Sequence, residues 1–190
     1  MSKANKKKIG IVDIVVLGVL VVCLVLAIVG LTIDQWTVID GTDSGTSFGD
    51  YSEMVVEKNE AKGDINDALG DDIMSGLDNI FGDSELVQDA KAEEAKLDAM
   101  VAFGYITVIL VAVTLALYVL KMFLKAGFFR FLVLVAGALT LISGVLAIAM
   151  TAAICGEVVV VGAGAALLAV GGILGGIASC LLYTSDAADE

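Results

Sequence analysis

Carboxylates are the side chains with the clearest potential for chemistry in this chain. The sequence has 23 Asp and Glu residues against 11 Lys and Arg residues, and it has no His. Without histidine the chain lacks the commonest metal ligand and the commonest general base near neutral pH. Carboxylates can still bind calcium, or work in pairs as the acid and base of a hydrolase. Their spacing decides which of these is available.

The spacing of the acids does not match a calcium loop. A twelve-residue loop of this kind requires Gly at its sixth position and Glu at its twelfth. A loop starting at Asp40 has Gly45 at the sixth position but Tyr51 at the twelfth. A loop starting at Asp64 has Leu69 at the sixth position. We therefore predict a solvated acidic surface here rather than a metal site.

Enzymatic chemistry is not predicted either. Asp71 and Asp72 are adjacent, and neighbours in sequence point apart on a helix, which makes them poor acid and base partners. The sequence has no Cys/His pair, nucleophile elbow, phosphate-binding loop or metal-ligand spacing. We expect a protein that is not an enzyme, holds no metal or cofactor and binds no nucleic acid.

Asp13 is the one acid that falls well inside a long apolar run. An ionisable residue within a membrane span is by default a candidate proton or ion site. Asp13 lies about one turn from Lys8, close to the end of the run. We favour the alternative that it pairs with a lysine or reaches the water around the lipid headgroups.

Long apolar runs predict the elements that carry these residues. The chain is 58% hydrophobic and 18% charged, whereas a soluble domain has roughly a quarter of its residues charged. About 20 apolar residues cross the hydrocarbon core as a helix, and the first run is longer than the apolar region of a signal peptide. We predict an all-α membrane protein, a four-helix transmembrane bundle with a large, partly helical extracytoplasmic loop. The segments are a basic tail at 1–8, spans at 9–33, 100–120, 131–154 and 158–179, an acidic outer loop at 34–99, a basic turn at 121–130 and a short outer turn at 155–157.

The distribution of Lys and Arg predicts the orientation of these spans. Basic residues flank the spans at the N-terminus and in the turn at 121–130, whereas the short turn at 155–157 has none and the loop at 34–99 is acidic. Short basic flanks remain in the cytoplasm. We expect a multi-pass protein of the plasma (cytoplasmic) membrane with its N-terminus and its last span's end in the cytoplasm.

The large loop is predicted to contain two helices. Apolar residues recur every four positions with acids between them, which is typical of an amphipathic helix. These apolar residues are Ile65, Leu69, Ile73, Leu77 and Phe81. A second helix over residues 84–97 is predicted to continue into the second span, and residues 40–46 have the composition of a turn.

Two further features predict contacts with lipid and between helices. Trp36 follows the first span, where a tryptophan is typical of an interfacial anchor, with a binding hot spot as the alternative. Gly171 with Gly175, and Gly172 with Gly176, form two overlapping patterns of small residues four apart. Such patterns let helix backbones approach closely in lipid. We predict packing within the bundle, with a homo-oligomer as the alternative.

The last eleven residues, 180–190, are interpreted separately. Their sequence CLLYTSDAADE corresponds to the translated end of a transposase-type sequencing-library adapter, and such segments are excluded from reasoning about fold. A genuine short polar tail is the alternative. On the first interpretation the natural C-terminus lies beyond residue 179 and is not represented.

The predicted topology resembles the claudin/PMP22-type tetraspan group. The likeness consists of a long first outer loop, a very short second one and Trp36 just after the first span. That group carries a Gly-Leu-Trp stretch followed by two cysteines in the first loop, and this loop contains no cysteine. The resemblance implies a four-span architecture with both ends in the cytoplasm.

Two functional hypotheses follow from these features. The first is a non-enzymatic scaffold or interaction module in the lipid bilayer, whose acidic loop contacts an extracytoplasmic protein partner. The second is a component, or the N-terminal part, of a transporter or channel. Transporters usually have broken helices or polar residues near the midplane, whereas the later spans offer only scattered hydroxyl groups, so we favour the first.

Overall fold

The chain consists mainly of long helices with a small sheet at one end. The computed structural model describes residues 11–42, 44–69, 85–123, 127–155 and 159–188. Its helices are α1 Ile11–Thr32, α2 Phe48–Leu69, α3 Glu85–Phe123, α4 Gly127–Ile154 and α5 Ala163–Ala188. Its strands are β1 Thr37–Ile39, β2 Gly45–Thr46 and β3 Val159–Val161.

Four of these helices are long and apolar enough to cross a membrane. The stretches are Ile11–Thr32, Lys91–Phe123, Phe128–Ile154 and Ala163–Leu181. The prediction of a helical, multi-pass membrane protein is confirmed at this level. Helix α3 has 39 residues and is about 58 Å long at 1.5 Å per residue. Because the hydrocarbon core is roughly 30 Å thick, α3 is longer than one crossing requires.

The four long helices pack side by side as a bundle. Helix α5 lies along both α1 and α4, and α3 lies along α4 and α1. Helices α3 and α5 also contact each other, but less extensively. Much of the outward surface of α1 and α4 consists of exposed Val, Ile, Leu and Phe side chains, which is the surface that lipid chains would cover.

A three-stranded sheet joins two parts of the chain that are distant in sequence, residues 37–46 and 159–161. The strand order is β2-β1-β3, and both pairings are antiparallel. Strands β1 and β2 form a hairpin whose turn includes Gly41 at a φ of 76°, a conformation that glycine adopts without a steric cost. Val38 is paired with Val160 across β1 and β3. The sheet therefore connects the segment after α1 to the segment before α5.

The fourth span begins later than the predicted position 158. Val159–Val161 forms a strand, and α5 begins at Ala163. The intervening Gly162 donates its backbone N–H to the Trp36 carbonyl oxygen at 2.8 Å. A Cβ atom at Gly162 would lie 2.9 Å from the carbonyl carbon of Trp36, so only glycine fits this close approach. Three consecutive valines suit a strand as well as a membrane helix, and pairing with β1 decides between them.

The helix in the large loop begins earlier than predicted. Helix α2 starts at Phe48, and Ser47 precedes it. The Ser47 hydroxyl accepts the Asp50 N–H at 3.0 Å, while an Asp50 carboxylate oxygen accepts the Ser47 N–H at 3.0 Å. This reciprocal capping fixes the start of the helix. The predicted helix periodicity at residues 73, 77 and 81 lies outside the described residues.

Candidate functional site

The best candidate for a functional site is the folded end of the bundle. We call the three strands, α2 and residues 85–99 of α3 the head. A buried aromatic group connects the head to the bundle. Trp36 has no exposed surface, and its ring centroid lies 4.6 Å from that of Phe48. The Trp36 Nε1–H points at the Met100 sulfur at 3.3 Å.

This burial corrects the predicted role of Trp36 as an interfacial anchor. Its ring is enclosed by protein side chains and has no surface left for lipid. Phe48, the first residue of α2, covers Gly104 of α3, where an added Cβ would lie 2.5 Å from the Phe48 ring. The absence of a side chain at Gly104 therefore lets the start of α2 sit directly on α3, while Trp36 fills the space beside it.

Four charged side chains connect the middle of α2 to α3, and we call them the charge clamp. The Lys58 ammonium contacts the Asp98 carboxylate at 2.5 Å and the Glu94 carboxylate at 3.2 Å. Lys62 also pairs with Glu94. The hydrogen bond from Lys62 is the largest cause that lowers the pKa of Glu94, with Lys58 adding to it. Desolvation acts to lower the pKa of Lys58, but its two carboxylate partners raise it overall.

A different face of α2 carries a row of five exposed carboxylates. We call this row the acidic stripe: Asp50, Glu53, Glu57, Glu60 and Asp64. Intervals of three and four residues place them along one side of the helix, over about 21 Å. The two lysines of α2 belong to the charge clamp, so no lysine of this helix lies within the stripe. The sequence predicts an acidic loop but not this arrangement.

Asp13 lies at the other end of the bundle, far from the head. The buried Tyr118 hydroxyl is 3.1 Å from an Asp13 carboxylate oxygen and 3.2 Å from the Asp13 backbone carbonyl. The Lys121 ammonium lies 5.5 Å from the centroid of the Tyr118 ring. The structure thus gives Asp13 a tyrosine partner from α3 that sequence analysis missed. Lys8, the lysine considered from the sequence, lies outside the described residues.

The four glycines of the predicted packing pattern in α5 face different neighbouring helices. A Cβ at Gly171 would lie 2.7 Å from the Cys23 carbonyl oxygen of α1, and one at Gly175 would lie 3.6 Å from the Cys23 Cβ. A Cβ at Gly172 would lie 3.1 Å from the Gly144 Cα of α4. A Cβ at Gly176 would lie 2.7 Å from the Gly137 carbonyl oxygen of α4. One glycine pair therefore faces α1 and the other faces α4, within a single chain.

Hydroxyl groups between α3 and α4 also have hydrogen-bond partners within the chain. The Thr107 and Ser143 hydroxyls are 2.6 Å apart, and those of Thr114 and Thr140 are 3.1 Å apart. The three threonines also donate to carbonyls four residues earlier in their own helices, which is common for hydroxyl side chains within helices. Within the described residues, every buried side-chain nitrogen and oxygen has a hydrogen-bond partner.

Comparisons with other proteins give no match, so the function has to be inferred from the geometry of the chain. No protein-family model, curated protein or solved structure matches this chain. Across the described ranges, no group of three or more Cys, Asp and Glu side chains is placed to hold a metal ion. The head therefore offers surface charge as its most evident means of recognition.

Proposed function

We propose that this protein is a non-enzymatic, four-span membrane scaffold that binds a basic surface of an extracytoplasmic protein. The acidic stripe is the observation that carries this proposal. Its five carboxylates are exposed on one face of a helix. A single-sign surface of this kind attracts partners of opposite charge and orients them on approach.

The contacts that hold α2 against α3 support a binding role for the stripe. Phe48 is buried at the start of the helix, and Lys58 is paired with Asp98 of α3 further along it. A partner would therefore meet carboxylates on a backbone that is already ordered over residues 48–64. Binding to an ordered surface avoids much of the entropy cost of fixing a flexible loop.

The proposed orientation places the head outside the cell and the basic turn in the cytoplasm. Lys121 and Arg130 flank the turn between α3 and α4, at the opposite end of α3 from the head. Short basic flanks are retained in the cytoplasm, so the plasma membrane with a cytoplasmic N-terminus is the location we propose. The likeness to the claudin/PMP22-type tetraspan group is proposed as one of architecture.

A charge-reversal experiment tests the scaffold proposal. Glu53→Lys with Glu60→Lys reverses two charges of the stripe, and Asp34→Lys with Asp40→Lys reverses two exposed charges on either side of β1, outside the stripe. Cross-linking in native membranes should capture a partner with the wild type and with the Asp34/Asp40 variant. It should fail with the Glu53/Glu60 variant, and added salt should weaken capture because the charges are exposed.

Two results would contradict the proposal. The first is equal capture by the two double variants, which would show that the position of the charges does not matter. The second is a loss of ion flux through reconstituted protein on Asp13→Asn, which would favour the transporter or channel function instead.

A further inference from the structure

A cleft of about 490 Å³ opens between α2 and α3, on a different face of α2 from the acidic stripe. Its apolar lining comes from Tyr51, Met54, Leu97 and Ile154. Tyr51 is held in place by a 2.8 Å hydrogen bond between its hydroxyl and that of Thr37. The interior of the cleft is therefore apolar, although the surrounding surface of the head is polar.

The position of the cleft relates it to the membrane surface. Ile154 is the last residue of α4, one of the four helices that are apolar enough to cross a membrane. Leu97 lies one turn before Met100 on α3, and the long apolar run of that helix begins at Met100. Both residues mark the level at which hydrocarbon ends and headgroups begin. The apolar lining is thus at the depth that the first part of a lipid acyl chain occupies.

The rim of the cleft carries charges of both signs in equal number. Lys58 and Lys62 come from α2, and Glu93 and Glu94 come from α3. The side chains of Lys62 and Glu93 keep 57% and 64% of their surface exposed. Each has a partner, Glu94 and Lys96 respectively. An ammonium has three donors and a carboxylate has several acceptor positions, so both groups can still bond to a ligand.

We propose that this cleft binds one zwitterionic phospholipid of the outer leaflet. Its phosphate accepts hydrogen bonds from the Lys62 ammonium, its own ammonium faces the Glu93 carboxylate, and the start of an acyl chain lies on Leu97 and Ile154. A headgroup with both charges matches a rim with both charges. An anionic headgroup would meet two carboxylates without an ammonium of its own to offset them.

The experiment uses the full chain in nanodiscs of equal parts phosphatidylethanolamine and phosphatidylglycerol. The protein is released into mild detergent, and the phospholipid that stays bound is identified by native mass spectrometry. Met54→Trp fills the cleft without changing its charges. Val56→Trp adds the same ring to an exposed position of α2 that does not line the cleft. Lys62→Gln removes the ammonium that would hold the phosphate.

We expect the wild type and Val56→Trp to retain one phosphatidylethanolamine per chain. Met54→Trp and Lys62→Gln should each lower the retained fraction by about tenfold, the second through loss of a charge-assisted hydrogen bond. The proposal is overturned if the two tryptophan variants retain lipid equally, or if phosphatidylglycerol is retained in preference. Circular dichroism of each variant confirms folding. Because these variants leave the acidic stripe intact, their outcome is independent of the partner experiment.

Discussion

Replacing Gly171 by alanine tests the packing of α5 against α1, and the same helix supplies a matched control. A Cβ at Gly171 would lie 2.7 Å from the Cys23 carbonyl oxygen and 3.1 Å from the Ala27 nitrogen. Both are backbone atoms and cannot rotate away, so the two helices must move apart. A Cβ at Gly175, one turn further along, would lie 3.6 Å from the Cys23 Cβ, which is an ordinary contact.

The expected effects of the two substitutions differ in sign. Forcing an extra carbon into a packed contact costs about 1–3 kcal/mol, whereas alanine is favoured over glycine in a helix by about 0.5–1 kcal/mol. Gly171→Ala should therefore destabilise the fold by about 1–2 kcal/mol. Gly175→Ala should stabilise it by about 0.5 kcal/mol. At about 2–4 °C per kcal/mol, the two unfolding midpoints should be clearly separated.

A thiol-reactive fluorogenic dye provides the assay. Cys23 is 1% exposed, so in detergent micelles it reacts only after unfolding, and Cys155→Ala with Cys180→Ala removes the background. The unfolding midpoint is measured for the two variants at several protein concentrations. Equal midpoints would refute the packing argument. A midpoint that rises with protein concentration would show instead that the glycines meet a second chain.

Two further predictions concern the head. The pKa of Glu94 is lowered by its lysine partners and that of Lys58 is raised. The contribution of Glu94 is therefore lost as pH falls through its lowered pKa, and that of Lys58 as pH rises through its raised pKa. Spin-label distances between α2 and α3 should be constant from about pH 5 to pH 10, and a change within this window would contradict the assignment of the clamp. Val38→Cys with Val160→Cys should oxidise to a disulfide, whereas Ile39→Cys with Val160→Cys should not, because neighbouring strand residues point to opposite faces.

The long helices were predictable because a membrane span depends on length and apolar composition alone. The sheet was not predictable, because strands of two or three residues are too short to show an alternation of apolar and polar residues. Val159–Val161 reads as part of an apolar run until its pairing with β1 is known. The position of Trp36 could not be predicted for a similar reason. Its burial requires Phe48 and Met100, which are distant in sequence.

The composition of the candidate site was predictable, but its geometry was only partly so. The acidic character of residues 34–99 is a property of the sequence. The start of α2 had a local signal that we missed, the spacing of Ser47 and Asp50 that forms the cap. The charge clamp had no such signal, because Lys58 and Asp98 are separated by 40 residues. Their pairing, together with the burial of Phe48, holds α2 against α3.

The connections of the head bear on what a scaffold of this kind can do. Strand β3 ties the segment before α5 to the segment after α1, and the clamp ties α2 to α3. The head is thus tied to the bundle at several places, so a partner on the acidic stripe would bind a surface that is connected to the long helices. A load or displacement at the stripe would pass into α3, which continues without a break to Phe123. Such a surface is suited to holding a partner at a fixed distance from the membrane.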